Sequence, residues 1–170
     1  MASKNVIATY SPEDIQVAIA GLYNVTGFVE GSFVTINRDT PLFQTSESSD
    51  GMVSRTKRNS RTFSVQLSLM NTSESNNVLT TLALLDHSIH IVKFPLLIKD
   101  SLGSTIFFST SSWIENTPST SYSTNITNRD WTIRCAQSTM YVGGNEEASE
   151  GSEDLLRTLT GLAPSLRTIL

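Results

Sequence analysis

The chain has 170 residues, a formal net charge of −4 and 38% hydrophobic residues, with Ser and Thr frequent throughout. That length supports one core that buries roughly two-thirds of the extended-chain surface without disulfides or a metal, and the single cysteine, Cys135, leaves no internal disulfide to form. The mild acidity argues against a protein that wraps nucleic acid on a basic surface, and no stretch approaches the roughly 20 apolar residues of a spanning helix.

Residues 1–10 read as a loose arm without a basic-then-apolar leader, so we expect a soluble protein made in a reducing cytoplasm. The glycosylation-like triplets at Asn24, Asn71 and Asn125 are then chance in a Thr-rich chain. Ser11-Pro12-Glu13 opens the domain, and Ile15, Val17 and Ile19 share one face of a first strand. Gly21 marks the turn into a short second strand, and Phe28 to Ile36 reads as a further strand interrupted at Glu30-Gly31.

Residues 37–60 are less regular, with Asp39, Pro41, a polar run and the turn signal Asp50-Gly51. A connection of more than about 20 residues is unusual in a compact domain unless it binds something. We expect a protruding hairpin that contacts a neighbouring subunit through Leu42, Phe43, Met52 and Val53 and the cations Arg55, Lys57, Arg58 and Arg61. A mobile surface loop is the plainer alternative.

Thr62 to Met70 carries the clearest alternation: Phe63, Val65, Leu67 and Leu69 face a core, while Ser64, Gln66 and Ser68 form a polar face toward solvent or another subunit. The period then changes. Ser73 can cap a helix from Glu74 to about Asp86, with Val78, Leu82 and Leu85 at helical spacing and Leu79 beside them. His87 and His90 follow at its end; two histidines alone are a poor metal signal.

Lys93 to Lys99 is the next strand, and Pro95 points to a sheet edge or a strand end. Gly103 marks a turn into Thr105 to Glu115, where simple alternation puts Phe107 and Trp113 on one side and Ile106, Phe108 and Ile114 on the other. After an irregular connection, Asp130 to Val142 forms the last strand, with Trp131, Ile133, Cys135, Thr139 and Tyr141 on one face and Arg134 on the other. An acidic run from Glu146 to Asp154 leads into a short helix whose Leu155, Leu159 and Leu162 suit docking on a groove. Its charge opposes that of Arg55 to Arg61.

The fold class expected is mainly β: two packed antiparallel sheets, a sandwich or open barrel, with one flanking α-helix and a C-terminal extension bearing a short helix. The domain runs over residues 11–145 and the acidic extension over 146–170. No phosphate loop, nucleophile elbow or metal motif is present. Glu115 and Asp130 stand near strand ends without a pairing that suggests acid–base work, and His87 beside Asp86 is only a sequence neighbour. We expect no catalytic residue, no metal and no cofactor, and hence no enzyme.

Several segments in order resemble the tail tube proteins of contractile-tailed bacteriophages, in particular the small structural-protein type of phages of Gram-negative bacteria. They are Tyr10 to Asp14, Gly31 to Ile36 with Arg38-Asp39, Asp50-Gly51 to Arg55, Phe94 to Asp100, Trp113 to Glu115, and Arg129 through Asn145. The resemblance implies two packed antiparallel sheets with a helix at the side. It implies homo-hexameric rings in which each copy adds a sheet to a continuous barrel, stacked into a tube inside a contractile sheath. DNA passes through the lumen on ejection without specific binding, and loops and an extended hairpin bridge the copies. The partners implied are further copies of the chain, the tail sheath protein, baseplate, tape-measure protein and tail terminator, in a virion tail assembled in the host cytoplasm, with no membrane insertion by this chain. Ser64, Gln66 and Ser68 suit a lumen face. Alternatives are another ring component, a terminator or baseplate protein, or a monomeric β-sandwich binding module. Residues after Asn145 fall outside the matched segments.

Overall fold

The structure, a computed structural model, describes residues 10–144; all but Tyr10 of the arm expected over 1–10, and the extension carrying Leu155, Leu159 and Leu162, lie outside the described residues. After a 3-10 turn at Pro12–Asp14 come β1 (Ile15–Ile19), β2 (Tyr23–Asn24), β3 (Val34–Arg38), β4 (Phe43–Glu47), β5 (Val53–Lys57) and β6 (Phe63–Met70). Then follow α1 (Ser75–Ile89), β7 (Phe94–Asp100), β8 (Ile106–Asn116) and β9 (Asn128–Tyr141). The fold is mainly β, with two antiparallel sheets and one helix: a seven-stranded sheet ordered β2-β1-β7-β8-β9-β6-β3, and a separate β4-β5 ribbon.

The packed layers both come from the large sheet. β8 pairs with β9 over the whole of its own length, from Ile106 opposite Tyr141 to Asn116 opposite Thr132, but β7 meets only the first part of β8, while β6 meets only the first part of β9. The sheet is thus a five-stranded half (β2-β1-β7-β8-β9) and a four-stranded half (β8-β9-β6-β3) that share β8 and β9. Between them lies a crease. Gln137 has φ 53° opposite Thr110, and Pro95 sits in a register shift on β7 beside them. Ala20, with φ 56°, donates its N–H to the Pro95 carbonyl at 2.8 Å. A left-handed residue inside a strand turns the pleat by one position, so the inward parity reverses across it.

The burial follows this crease. On β8, Phe107 and Ser109 are buried before it and Ser112 after it; on β9, Trp131, Ile133 and Cys135 are buried before it and Ser138 after it. Two expectations from uninterrupted alternation are therefore corrected. Trp113 does not share the inward side of Phe107, and it is Ile114 that packs against the core; on β9, Met140 does so rather than Thr139 or Tyr141. Folding at the crease brings Phe63 of β6 edge-on to Phe107 of β8, ring centroids 5.3 Å apart, although β9 separates their strands in the sheet.

The core runs from Val17 and Ile19 through Leu96, Ile98 and Phe107 to Ile133, Val65, Leu67 and Leu69. Each such side chain contributes about 1.5–3 kcal/mol on burial. The strand expected over Phe28 to Ile36 is shorter: Phe28 makes one isolated bridge to Leu69, and β3 begins only at Val34, because Gly31 at φ 89° takes the chain out of extended geometry. Pro95 is not on an edge, since β7 lies between β1 and β8; its missing N–H falls at the strand's irregular start, where no ladder bond is required of it.

The helix extends to Ile89 and ends at His90 in the left-handed conformation. It rests on the sheet through Leu79 and Leu82, while Leu85 is exposed. Two polar anchors hold it: Trp131 Nε1 donates to Asn76 Oδ1 at 2.9 Å, and the buried Ser75 Oγ accepts from Thr26 N at 2.9 Å. Ser73 Oγ accepts from Ser75 N at 3.2 Å, so it serves the start of the helix from one residue outside the Glu74 position.

Candidate assembly surfaces

The β4-β5 ribbon pairs only with itself, and all ten of its strand residues are exposed. The cross-strand register sorts its side chains by chemistry. One face carries Phe43 opposite Lys57, Thr45 opposite Arg55 and Glu47 opposite Val53; the other carries Gln44 opposite Thr56 and Ser46 opposite Ser54. The first face therefore holds the charged and apolar groups of the strands, and Arg55 lies over the Phe43 ring, 4.2 Å from its centroid. Arg58 belongs elsewhere: it donates to Gln44 Oε1 on the neutral face. Met52 stands at the tip and Leu42 at the base, where Leu42 O accepts from Arg58 N at 2.9 Å; both are exposed. Arg61 lies beyond the ribbon, its carbonyl accepting from Ser138 N at 3.1 Å beside the crease. The structure thus groups Phe43, Val53, Arg55 and Lys57 and separates Leu42, Met52, Arg58 and Arg61 from them.

The polar face of β6 forms a patch with its neighbours. Ser64, Gln66 and Ser68 lie opposite Arg134, Thr132 and Asp130 on β9, while Asn37 and Thr35 of β3 flank Ser64 and Gln66. Ser68 Oγ donates to Asp130 Oδ1 at 2.6 Å. Arg134 donates through Nη2 to Glu115 Oε2 and through Nη1 to Asp39 Oδ1, each at 2.7 Å. These bonds, from Glu115 first and then Asp39, hold its charge above the ordinary arginine range. Both acidic residues that sequence placed near strand ends are thus engaged: Glu115 with Arg134, Asp130 with Ser68.

Two further features escaped the sequence reading. The edge strand β3 is paired on one side only, with β6, and leads directly toward the ribbon. At its other end Pro12, Phe28, Val29 and Phe33 line a groove of about 360 Å³ with Glu13 and Glu30 on its rim. Phe28 and Phe33 lie 4.9 Å apart, ring to ring, beneath it. The break at Glu30-Gly31 is the sequence signal for this groove, though it reads first as a bulge.

Convergent chemistry is sparse. His87 and His90 stand 6.3 Å apart ring to ring, and among the described residues no three potential metal ligands cluster. Cys135 is fully buried; burial pushes its thiol upward in pKa, while hydrogen bonds from Ser112 and Ser109 oppose the shift. No helix among the described residues is long and apolar enough to cross a membrane.

Comparison with known proteins supplies a relationship. The chain is 32% identical over 166 residues to structural protein ORF10 of Pseudomonas phage KPP10, covering 94% of each. It belongs to that family of phage structural proteins. No family model matches the sequence of this family member. Its fold is similar to that of the tube-terminating cap of the anti-feeding prophage, with TM-score 0.52 and 15% identity over 83% of this chain and 96% of that one. A chain of the PVC sheath-tube complex in its extended state stands at TM-score 0.49 and 13% identity, over 84% and 99% of the two chains.

Proposed function

We propose that this phage structural protein is a subunit of the inner tail tube of a contractile-tailed phage, forming stacked hexameric rings around a channel for DNA. The observation that carries the proposal is an edge strand, β3, with one side unpaired among the described residues, followed directly in the chain by an exposed ribbon. An open edge favours pairing with another chain, and closure of a sheet around a ring removes it. The segments from Tyr10 to Asn145 that resemble tail tube proteins support the same reading.

In such a ring the Ser64/Gln66/Ser68 face suits a lumen. It is polar, its single arginine is neutralised by Glu115 and Asp39, and Asp130 adds negative charge. A passing polyanion therefore meets hydroxyls, an amide and carboxylates rather than free cations. The subunit's work is mechanical, without turnover, and its partners are other copies of itself and the sheath, baseplate, tape-measure and terminator proteins of the tail.

A second reading, a tail terminator, is favoured by the fold likeness to a tube-terminating cap. Negative-stain microscopy of the purified chain separates the two. Long hollow tubes at high protein concentration fit the tube subunit; rings that never stack fit the terminator; single chains at every concentration refute both.

A further inference from the structure

We infer that the charged and apolar face of the β4-β5 ribbon of one copy docks into the Phe28–Phe33 groove of a second copy; the inference rests on the assembly reading above and names the contact that propagates it.

The two surfaces match in kind. The ribbon face presents Phe43 and Val53 with Arg55 and Lys57, two cations on one strand about 7 Å apart at strand spacing. The groove presents Phe28, Val29 and Phe33 between two exposed carboxylates, Glu13 and Glu30. Neither carboxylate forms a salt bridge among the described residues, where the ion pairs belong to Arg134. Along the ribbon face Arg55 lies between the Phe43–Lys57 pair at the base and the Val53–Glu47 pair at the tip. The face thus brings both apolar groups and two cations to a groove that offers aromatic rings and two anions, and the charges restrict the register. The opposite face of the ribbon, with Gln44, Ser46, Ser54 and Thr56, offers no such complement. Glu47, at the tip of the docking face, lies beyond the two cations.

Placement makes the contact head to tail. The ribbon leaves the Arg38 end of β3, and the groove adjoins the Val34 end, about 16 Å away along five residues. Donor and receptor therefore sit at opposite ends of one edge. A contact of that type joins each copy to the next without using up either surface, and so builds rings or stacks rather than a closed pair. The ribbon does not fill the groove of its own chain: Phe43 remains 42% exposed and Val53 63%.

Charge reversal tests this on the full chain. Glu13→Lys with Glu30→Lys, and separately Arg55→Glu with Lys57→Glu, should each lower the assembled fraction in sedimentation at least about tenfold, while the circular-dichroism melt stays that of the wild type. Combining all four should restore assembly, and a chain carrying Val29→Cys and Val53→Cys should give a ladder of inter-chain disulfides on oxidation. Assembly indifferent to both reversals, with no ladder, overturns the groove contact and leaves the assembly reading standing. Loss of assembly with the groove reversal alone overturns it in favour of another occupant, such as residues 1–9. A wild-type chain that stays single at all concentrations overturns both.

Discussion

Cys135 and Arg134 are neighbours in sequence that face opposite ways, and each shows what its side of the sheet requires. The thiol is enclosed by the core and touches Ser112 Oγ at 3.3 Å, so it acts as a small apolar group whose proton is held tightly. Its folded pKa lies above the ordinary value of 9.0. The native state therefore keeps a proton that the unfolded chain releases, and the associated stability is full below that value and declines as pH rises through the folded one. Cys135→Ala should cost about 1 kcal/mol at neutral pH through the lost volume, yet show a flatter fall in urea midpoint above about pH 9 than the wild type. Arg134 lies outside, with a side-chain exposure of 29%, between Asp39 at 24% and Glu115 at 36%. Solvent screens such pairs, so Arg134→Met should lower stability by about 1 kcal/mol in urea denaturation at low salt and by less in 1 M salt.

The crease is the feature of the elements that governs most else. Gln137 occupies the left-handed region without being glycine, and its Oε1 accepts from Thr110 Oγ1 at 3.3 Å across the irregularity. Gln137→Gly should leave stability within about 0.5 kcal/mol of the wild type, since relief of the left-handed strain offsets the added chain entropy. Gln137→Val, which resists that conformation, should lose about 1–2 kcal/mol; equal effects in the two melts would refute the strained turn. This is also where sequence reading reached its limit. The β1, β6, β7 and helix assignments were legible because their apolar periods are unbroken. The parity reversal in β8 and β9 was not, because glutamine and threonine carry no turn signal, and extrapolated alternation set Trp113 beside Phe107 and Thr139 beside Cys135. Pro95 was the one visible trace of the crease, and a proline in a strand suggests an edge before it suggests a fold line. The ribbon itself was legible from Asp50-Gly51, but its division into a charged face and a hydroxyl face depends on the Phe43–Lys57 register, which composition does not reveal.

For the whole molecule, folding and assembly draw on different residues. The core is complete without β4 and β5, none of whose residues is buried. Replacing residues 41–58 by a short glycine-serine turn should therefore leave the thermal midpoint of the chain within a few degrees of wild type while abolishing rings and tubes in micrographs. A deletion from residue 37 would instead cut into β3 and confound the two effects. Normal assembly by the shortened chain would remove the ribbon from the interface. The long strands β8 and β9 carry a last implication. Because the same two backbones thread both layers, a force applied to one layer reaches the other along covalent chain and the β8–β9 hydrogen-bonded ladder rather than only across side-chain contacts. Shear between the layers would have to disrupt that ladder. A body assembled from such units would thus resist elongation and torsion chiefly through its peptide framework, and much less through how tightly its interior is filled.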